Sequence, residues 1–175
     1  MNSVVADLVI RRAQESDAEI LCNAERDIAR TPGRLVSVPE ELHVSNFAAK
    51  IRDLHAAGTY LVAERDGVIV GHAFLDFVST VSRIKHVRYL NMVVHTGYAG
   101  QGIGAALLRE LQSIAPQAGV ERIELRVRPK NVAAVNLYKK CGFEEECTSL
   151  RRIKLEDGTY LDDMSMVWFA PGKKP

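Results

Sequence analysis

Two spacings of apolar residues alternate along this chain, one suited to strands and the other to helices. Leu8-Val9-Ile10, leading into Arg11-Arg12, predicts a first strand. Ser16 with Glu19 three residues on has the form of a capping box and predicts a helix through roughly Ile28, broken by Thr31-Pro32-Gly33. A second helix is predicted from near Pro39 to about Ala57, with Gly58 stopping it. Tyr60–Glu64 and Val68–Leu75 flank Asp66-Gly67, the signal of a tight β-hairpin. His72 and Asp76 share one face of the second of these strands with Phe74, which gives both structural roles. A further strand covers about Val87 to Val94.

The second half changes period. Ile103, Leu107, Leu111 and Ile114 fall on one helical face. Ile123, Leu125 and Val127 then alternate with Arg122, Glu124, Arg126 and Arg128, as in a half-buried strand. Strand, helix and strand in that order predict one parallel crossover. Asn131 is placed to cap a helix running to Cys141, and Gly142 stops it. Two more strands, about Phe143–Leu155 and Tyr160–Phe169, join at Asp157-Gly158, and residues 171–175 read as a flexible tail behind a single domain of residues 1–170.

Composition narrows the class. A chain of 175 residues with 47% apolar content is long enough to bury a substantial core. A formal charge of +1, from 23 basic and 22 acidic residues, advertises neither nucleic-acid nor anionic-membrane binding. No apolar run reaches membrane-spanning length, and the N-terminus meets Arg11-Arg12 without a signal-like apolar region. Cys22, Cys141 and Cys147 have no close metal-ligand spacing and predict reduced thiols, a cytoplasmic setting and no metal.

The segment with most chemistry lies between the strand Leu90-Asn91-Met92-Val93-Val94 and the helix that follows. Gly100, Gly102 and Gly104 stand at every second position, so side chains do not keep a ligand off the backbone. The next helix aims its free N–H groups and positive dipole end at the same spot, which suits phosphate. A P-loop needs Gly-Lys-Ser/Thr here, and the chain has Gly104-Ala105-Ala106. A dinucleotide site needs its third glycine one residue later and an early place in a doubly wound sheet. A tight turn without any ligand also fits this segment taken alone.

A second motif adds to the first. Asn131, Ala134, Leu137, Tyr138, Gly142 and Phe143 match Asn-x-x-Ala-x-x-Leu-Tyr-x-x-x-Gly-Phe. Together the two pieces, with one helix and one strand between them, resemble the acetyl-CoA-binding core of the GNAT acetyltransferase superfamily. The resemblance spans about Leu90 to Phe143. It implies a mixed α/β fold: a mostly antiparallel twisted sheet, a central parallel strand pair that splays apart, and helices on both faces. The region Asp157-Gly158-x-Tyr160-x-Asp162-x-Met164, with Lys85-His86 upstream, is similar to members acting on amino acids or polyamines.

The resemblance implies that this chain is an N-acetyltransferase moving the acetyl group of acetyl-CoA to a primary amine of a small molecule. Met92, Val93 and Val94 would pair with the pantetheine arm as an added strand. The backbone of Ala99, Gly100, Gln101, Gly102, Ile103, Gly104 and Ala105 would hold the pyrophosphate, with Asn131 and Tyr138 also at the cosubstrate. Tyr138 would be the general acid and His86 a candidate base. A buried core position is the other reading of Tyr138, helix capping that of Asn131, and a surface histidine that of His86. The closing hairpin is a candidate homodimer contact. The chain departs from the superfamily pattern at Ala99, where Arg or Gln is usual, and at Thr96, where Pro is frequent. Arg126 stands where protein-acetylating relatives often carry a glutamate base. The alternatives are a protein N-acetyltransferase, an acyl-CoA-binding regulatory module without turnover, and a nucleotide-dependent reductase.

Overall fold

The alternating segments assemble into one seven-stranded sheet. A computed structural model describes residues 8–175. The strands are β1 (Leu8–Arg12), β2 (Tyr60–Arg65), β3 (Val68–Phe77), β4 (Val87–Val94), β5 (Arg122–Val127), β6 (Glu144–Lys154) and β7 (Tyr160–Phe169). Their spatial order is β1-β2-β3-β4-β5-β7-β6. Every neighbouring pair is antiparallel except β4 and β5, which run parallel at the middle. Asp66 and Gly67 both take positive φ, 51° and 76°, as the β2–β3 turn requires.

Four helices cover the sheet: α1 (Ala18–Ala29), α2 (Val44–His55), α3 (Ile103–Ile114) and α4 (Val132–Lys140). Alternation along the strands sends successive side chains to opposite faces. Leu61 joins a cluster with Leu107, Leu108 and Leu111 of α3 and Val135 and Tyr138 of α4. Its neighbour Val62 joins Leu21 and Cys22 of α1 and Phe47, Ile51 and Leu54 of α2. So α3 and α4 lie on one face, and α1 and α2 on the other.

The helix starts differ from expectation. The first helix does not open on a Ser16–Glu19 box. A 3₁₀ turn, Glu15–Asp17, precedes α1, and the Asp17 carboxylate accepts from the Gln14 N–H at 2.8 Å. Arg11 holds that carboxylate with a 2.8 Å ion pair, which moves the cap upstream. The second helix does not run from Pro39. Pro39–Glu41 is a 3₁₀ turn, and α2 begins only at Val44. Between them Leu42 is extended, and its carbonyl accepts from Arg26 Nε at 3.0 Å and Nη2 at 2.6 Å. Arg26 thus takes the carbonyl that a continuous helix needs. Residues 171–175 are exposed and follow β7 without helix or strand; the Lys173 N–H donates to the Ala170 carbonyl, and Lys173 and Lys174 pair with Glu121 and Glu144 at the surface.

The face under α3 buries the larger apolar cluster. Leu111 of that cluster is 1% exposed. Leu111→Ala will cost about 2–5 kcal/mol in urea unfolding, from lost burial plus a residual cavity. Ile20→Ala, on the outer side of α1 at 50% exposure, will stay within about 0.5 kcal/mol of wild type.

Candidate active site

The sheet opens at its centre. β4 and β5 pair at only three rungs, Val87 with Arg122, Arg88 with Ile123 and Tyr89 with Glu124. From Leu90 onward β4 keeps β3 on one side and loses β5 on the other. The edge of Asn91–Val94 that faces β5 therefore has unpaired backbone groups inside the sheet.

β4 ends in the glycine turn. Gly100 and Gly102 have φ of 75° and 80°, a region that side chains disfavour, and a Cβ at either would meet nothing within 4 Å. The concave side of the turn is therefore open. Hydrogen bonding within α3 starts where the Ala106 N–H donates to the Gly102 carbonyl at 3.0 Å. The N–H groups of Ile103, Gly104 and Ala105 precede it and have no partner in the helix. At Gly104 a Cβ would lie 2.8 Å from Leu137 Cδ2, with Met92 Cε at 3.5 Å and Val94 Cγ2 at 3.7 Å. The absent side chain lets β4, α3 and α4 converge. Gln101 ties the turn to the hairpin: Arg65 donates to its Oε1 and its Nε2 donates to the Gly97 carbonyl. Ala99 is exposed on the turn.

Asn131 caps α4 as expected, its Oδ1 accepting from the Ala134 N–H at 3.3 Å. About two turns on, Tyr138 is 8% exposed and its ring meets Phe143 edge-on at 5.8 Å. Burial pushes its hydroxyl up to about 12, so it stays protonated through the neutral range. That hydroxyl makes no hydrogen bond among the described residues and is not among the buried polar atoms sealed from solvent. Tyr89 stands at the last paired rung. Burial, and then Asp163, raise its pKa.

The structure brings the Met92–Val94 edge, the glycine turn and α4 with Tyr138 to one end of β4. It does not bring His86 there. His86 is exposed, ahead of the paired end of β4, and its carbonyl accepts from the N–H groups of Glu121 and Arg122. Arg126 is engaged with the neighbouring strands, 3.6 Å from Asp163 of β7 and 3.5 Å from Ser149 Oγ of β6. His72, assigned a structural role in the sequence, is 1% exposed and sits between two polar partners, Glu25 Oε1 at 2.9 Å and His95 Nε2 at 3.2 Å. Thr96, where proline was expected, donates to Asp27 Oδ2 at 2.6 Å and ties the turn to α1. Glu25, Tyr89 and His95 escaped the sequence reading. The available signal was a histidine directly after an apolar strand, with a second one on the neighbouring strand.

This arrangement defines a class: a sheet parted at its middle, a glycine turn at the end of one parted strand, and an isolated tyrosine beside it. The chain belongs to the Acetyltransferase (GNAT) family, whose sequence profile matches residues 22–143. It is 32% identical to the L-amino acid N-acetyltransferase AaaT of Escherichia coli over 160 residues, which is 90% of this chain and 95% of the relative. Among solved structures it is similar to ribosomal-protein-alanine N-acetyltransferase of Brucella melitensis, with TM-score 0.82 and 28% identity over 92% of this chain and 99% of that one. It shares its fold with yncA of Salmonella typhimurium, solved with acetyl-CoA, at TM-score 0.85 and 20% identity over 94% and 95% of the two chains. Among the described residues no helix is long and apolar enough to cross a membrane.

The histidine pair gives the fold a pH dependence. Burial, then the charge of His72, lowers His95 to about 4, against about 6.5 for an unfolded histidine. The unfolded chain thus takes up a proton that the folded ring refuses. The contribution of His95 to stability is complete above about pH 6.5 and is lost as the pH falls towards about 4. Urea unfolding across that range will show a decline that is shallower in His95→Asn. An equal slope in the two proteins would refute the assignment.

Proposed function

We propose that the chain transfers the acetyl group of acetyl-CoA to the primary amine of a small molecule, such as an amino acid or a polyamine. The observation that carries this reading is the parting of β4 from β5 next to the open glycine turn. The unpaired edge of Met92, Val93 and Val94 fits the amide-bearing arm of the cosubstrate, added as a strand. The backbone from Ala99 to Ala105 fits its pyrophosphate, because Gly100 and Gly102 leave the space and α3 supplies free N–H groups. Asn131 and Tyr138 face the same end. Acetyl-CoA supplies an activated thioester.

The residues of the chain then divide the proton and charge transfers. An alkyl ammonium has no lone pair, so the acceptor must shed a proton before it attacks. His86 stands apart from the opening, which leaves water held by polar groups there as the proton acceptor. The Val94 N–H, which faces the opening because its neighbours at 93 and 95 turn theirs to β3, stabilises the charge that develops on the carbonyl oxygen, an effect of about 3 kcal/mol per donor. Tyr138 stays neutral near pH 7 and gives its proton to the departing thiolate.

Two observations favour a small acceptor over a protein one. Arg126 occupies the place of the glutamate base of protein-acetylating relatives, and it is engaged with Asp163 and Ser149. The relative from Escherichia coli, similar along almost its whole length, is an L-amino acid N-acetyltransferase. A panel of amines assayed for free thiol released from acetyl-CoA tests the reading directly.

Sub-millimolar acetyl-CoA will raise the melting temperature, since a ligand that binds only the folded state stabilises it, and NADH will not. Gly102→Val will remove that shift by straining the turn and filling the phosphate space. Stabilisation by NADH alone would overturn the assignment. Tyr138→Phe keeps the ring and its packing. Its kcat will fall by about 10²- to 10⁴-fold with the Kd for acetyl-CoA little changed. Turnover at the parent rate would take the acid role away from Tyr138.

A further inference from the structure

Part of the sheet has a face that no helix covers. The cluster under α1 and α2 draws its strand residues from β2 and β3, with none from β4 to β7. Leu90 of β4, Leu125 of β5 and Met164 of β7 turn to the other side, under α3 and α4. Alternation therefore sends Tyr89, Arg126 and Asp163 to the uncovered face. The segment between α1 and α2 reaches across to it. Its Arg34 carbonyl accepts from Arg128 Nη2 at 2.8 Å, and a Cβ on Gly33 would lie 2.8 Å from Leu161 Cδ1 of β7. The result is a polar floor with a backbone wall, on the side of the opening away from α3 and α4.

Charge on this floor is lopsided. Glu124 and Glu146 both pair with Arg122. Asp163, 2% exposed, takes two guanidiniums on one oxygen: Arg152 Nε is 3.2 Å and Arg126 Nη1 3.6 Å from its Oδ2. Arg128 is a third guanidinium. It is half-buried, and among the described residues its side chain bonds only the Arg34 carbonyl and pairs with no acid. That bond fixes the head and leaves the rest of its N–H fork unused.

The place of Arg128 ties it to the transfer reaction. β4 and β5 pair Val87 with Arg122 and Tyr89 with Glu124, and the same offset puts Arg128 level with Val93, across the opening. Burial raises the hydroxyls of Tyr138 and Tyr89, and the Arg128 charge works against it at both. A polyamine entering here would meet a surplus of its own charge. A carboxylate matches the surplus, because a guanidinium binds carboxylates through paired N–H groups. The acceptor amine must reach the thioester while that anion sits close by. An α-amino acid, with both groups on one carbon, has this layout.

We propose that Arg128 binds the carboxylate of the acceptor, which makes the acceptor an α-amino acid rather than a polyamine. The acetylation of that acceptor rests on the transferase reading above, whereas binding of the carboxylate does not.

Two measurements on the full chain test this. In the first, thiol release from acetyl-CoA is followed with L-amino acids, their α-amides and polyamines such as spermidine. Wild type will favour an amino acid over its amide by about 10- to 100-fold in kcat/KM, as one charge-assisted hydrogen bond supplies. Arg128→Gln will bring that ratio close to one, chiefly through KM for the amino acid. Arg128→Lys keeps the charge without the fork and will lose part of the preference, which reads the same contact should Arg128→Gln not fold. In the second, calorimetry on protein saturated with CoA will show the amino acid binding more tightly than its amide. A wild type that prefers polyamines, or takes amides as well as acids, overturns the proposal. So does a folded Arg128→Gln protein with the wild-type ratio, the outcome if Arg128 only braces the Arg34 carbonyl. If no amine releases thiol, the transferase reading falls, and calorimetry still decides the subsite: equal binding of acid and amide overturns it.

Discussion

The central constraint on this molecule is that two strands must run parallel and then separate. β4 and β5 share three rungs and no more. A sheet normally satisfies its backbone groups with its own neighbours, and an opening in its middle gives that up along several residues. The opening is held by what sits beside it. Gly104 lets the start of α3 approach Leu137 of α4 while Met92 and Val94 of β4 close on the same point. On the other side β5 is kept in line by antiparallel pairing with β7 along its full length, Arg122 with Phe169 through Val127 with Met164. Packing spreads the strands, and the unpaired edge along Asn91–Val94 is the structural result.

The two faces of the sheet then take different tasks. The face under α3 and α4 is almost wholly apolar and carries Tyr138 at its margin. The face under α1 and α2 holds the buried His72, with the rings of Phe47 and Tyr60 against it. α1 is bound to the turn after β4 through Asp27 with Thr96, and to the segment before α2 through Arg26 with Leu42. One helix therefore braces both the glycine turn and the loop that leads into α2.

Most of this frame was legible in the sequence because it is local. Asp66-Gly67, the alternation from Arg122 to Arg128, and the run from Asn131 to Gly142 each encode their structure within a few residues. The parting of β4 and β5 came from resemblance to a family, since no spacing within either strand announces it. What stayed hidden depends on distant pairs. Leu42 breaks the second helix because Arg26, sixteen positions earlier, takes its carbonyl. Asp17 displaces the Ser16 cap because Arg11 holds it in place. His86 looked eligible as a base through residue type alone, and only the register of β4 shows that it lies ahead of the paired end. His95 shows the reverse: its importance comes from a ring on another strand.

The far rim of the sheet has its own consequence. β6 is an eleven-residue edge strand with scarcely any side chain covered, and an edge of that length invites a neighbouring molecule to extend it. Its register breaks between Ser149 and Ile153, where Arg151 takes a φ of 52° and its N–H is captured by Asp162 Oδ1. Charges line this edge, Glu144 to Glu146 before the break, Arg151 and Arg152 within it and Lys154 after it. A kinked, charged border cannot template a flat ladder. The protein thus keeps an unpaired strand edge where a ligand is wanted and guards the outer one against fibrous growth, so that crowding does not turn a catalyst into an aggregate.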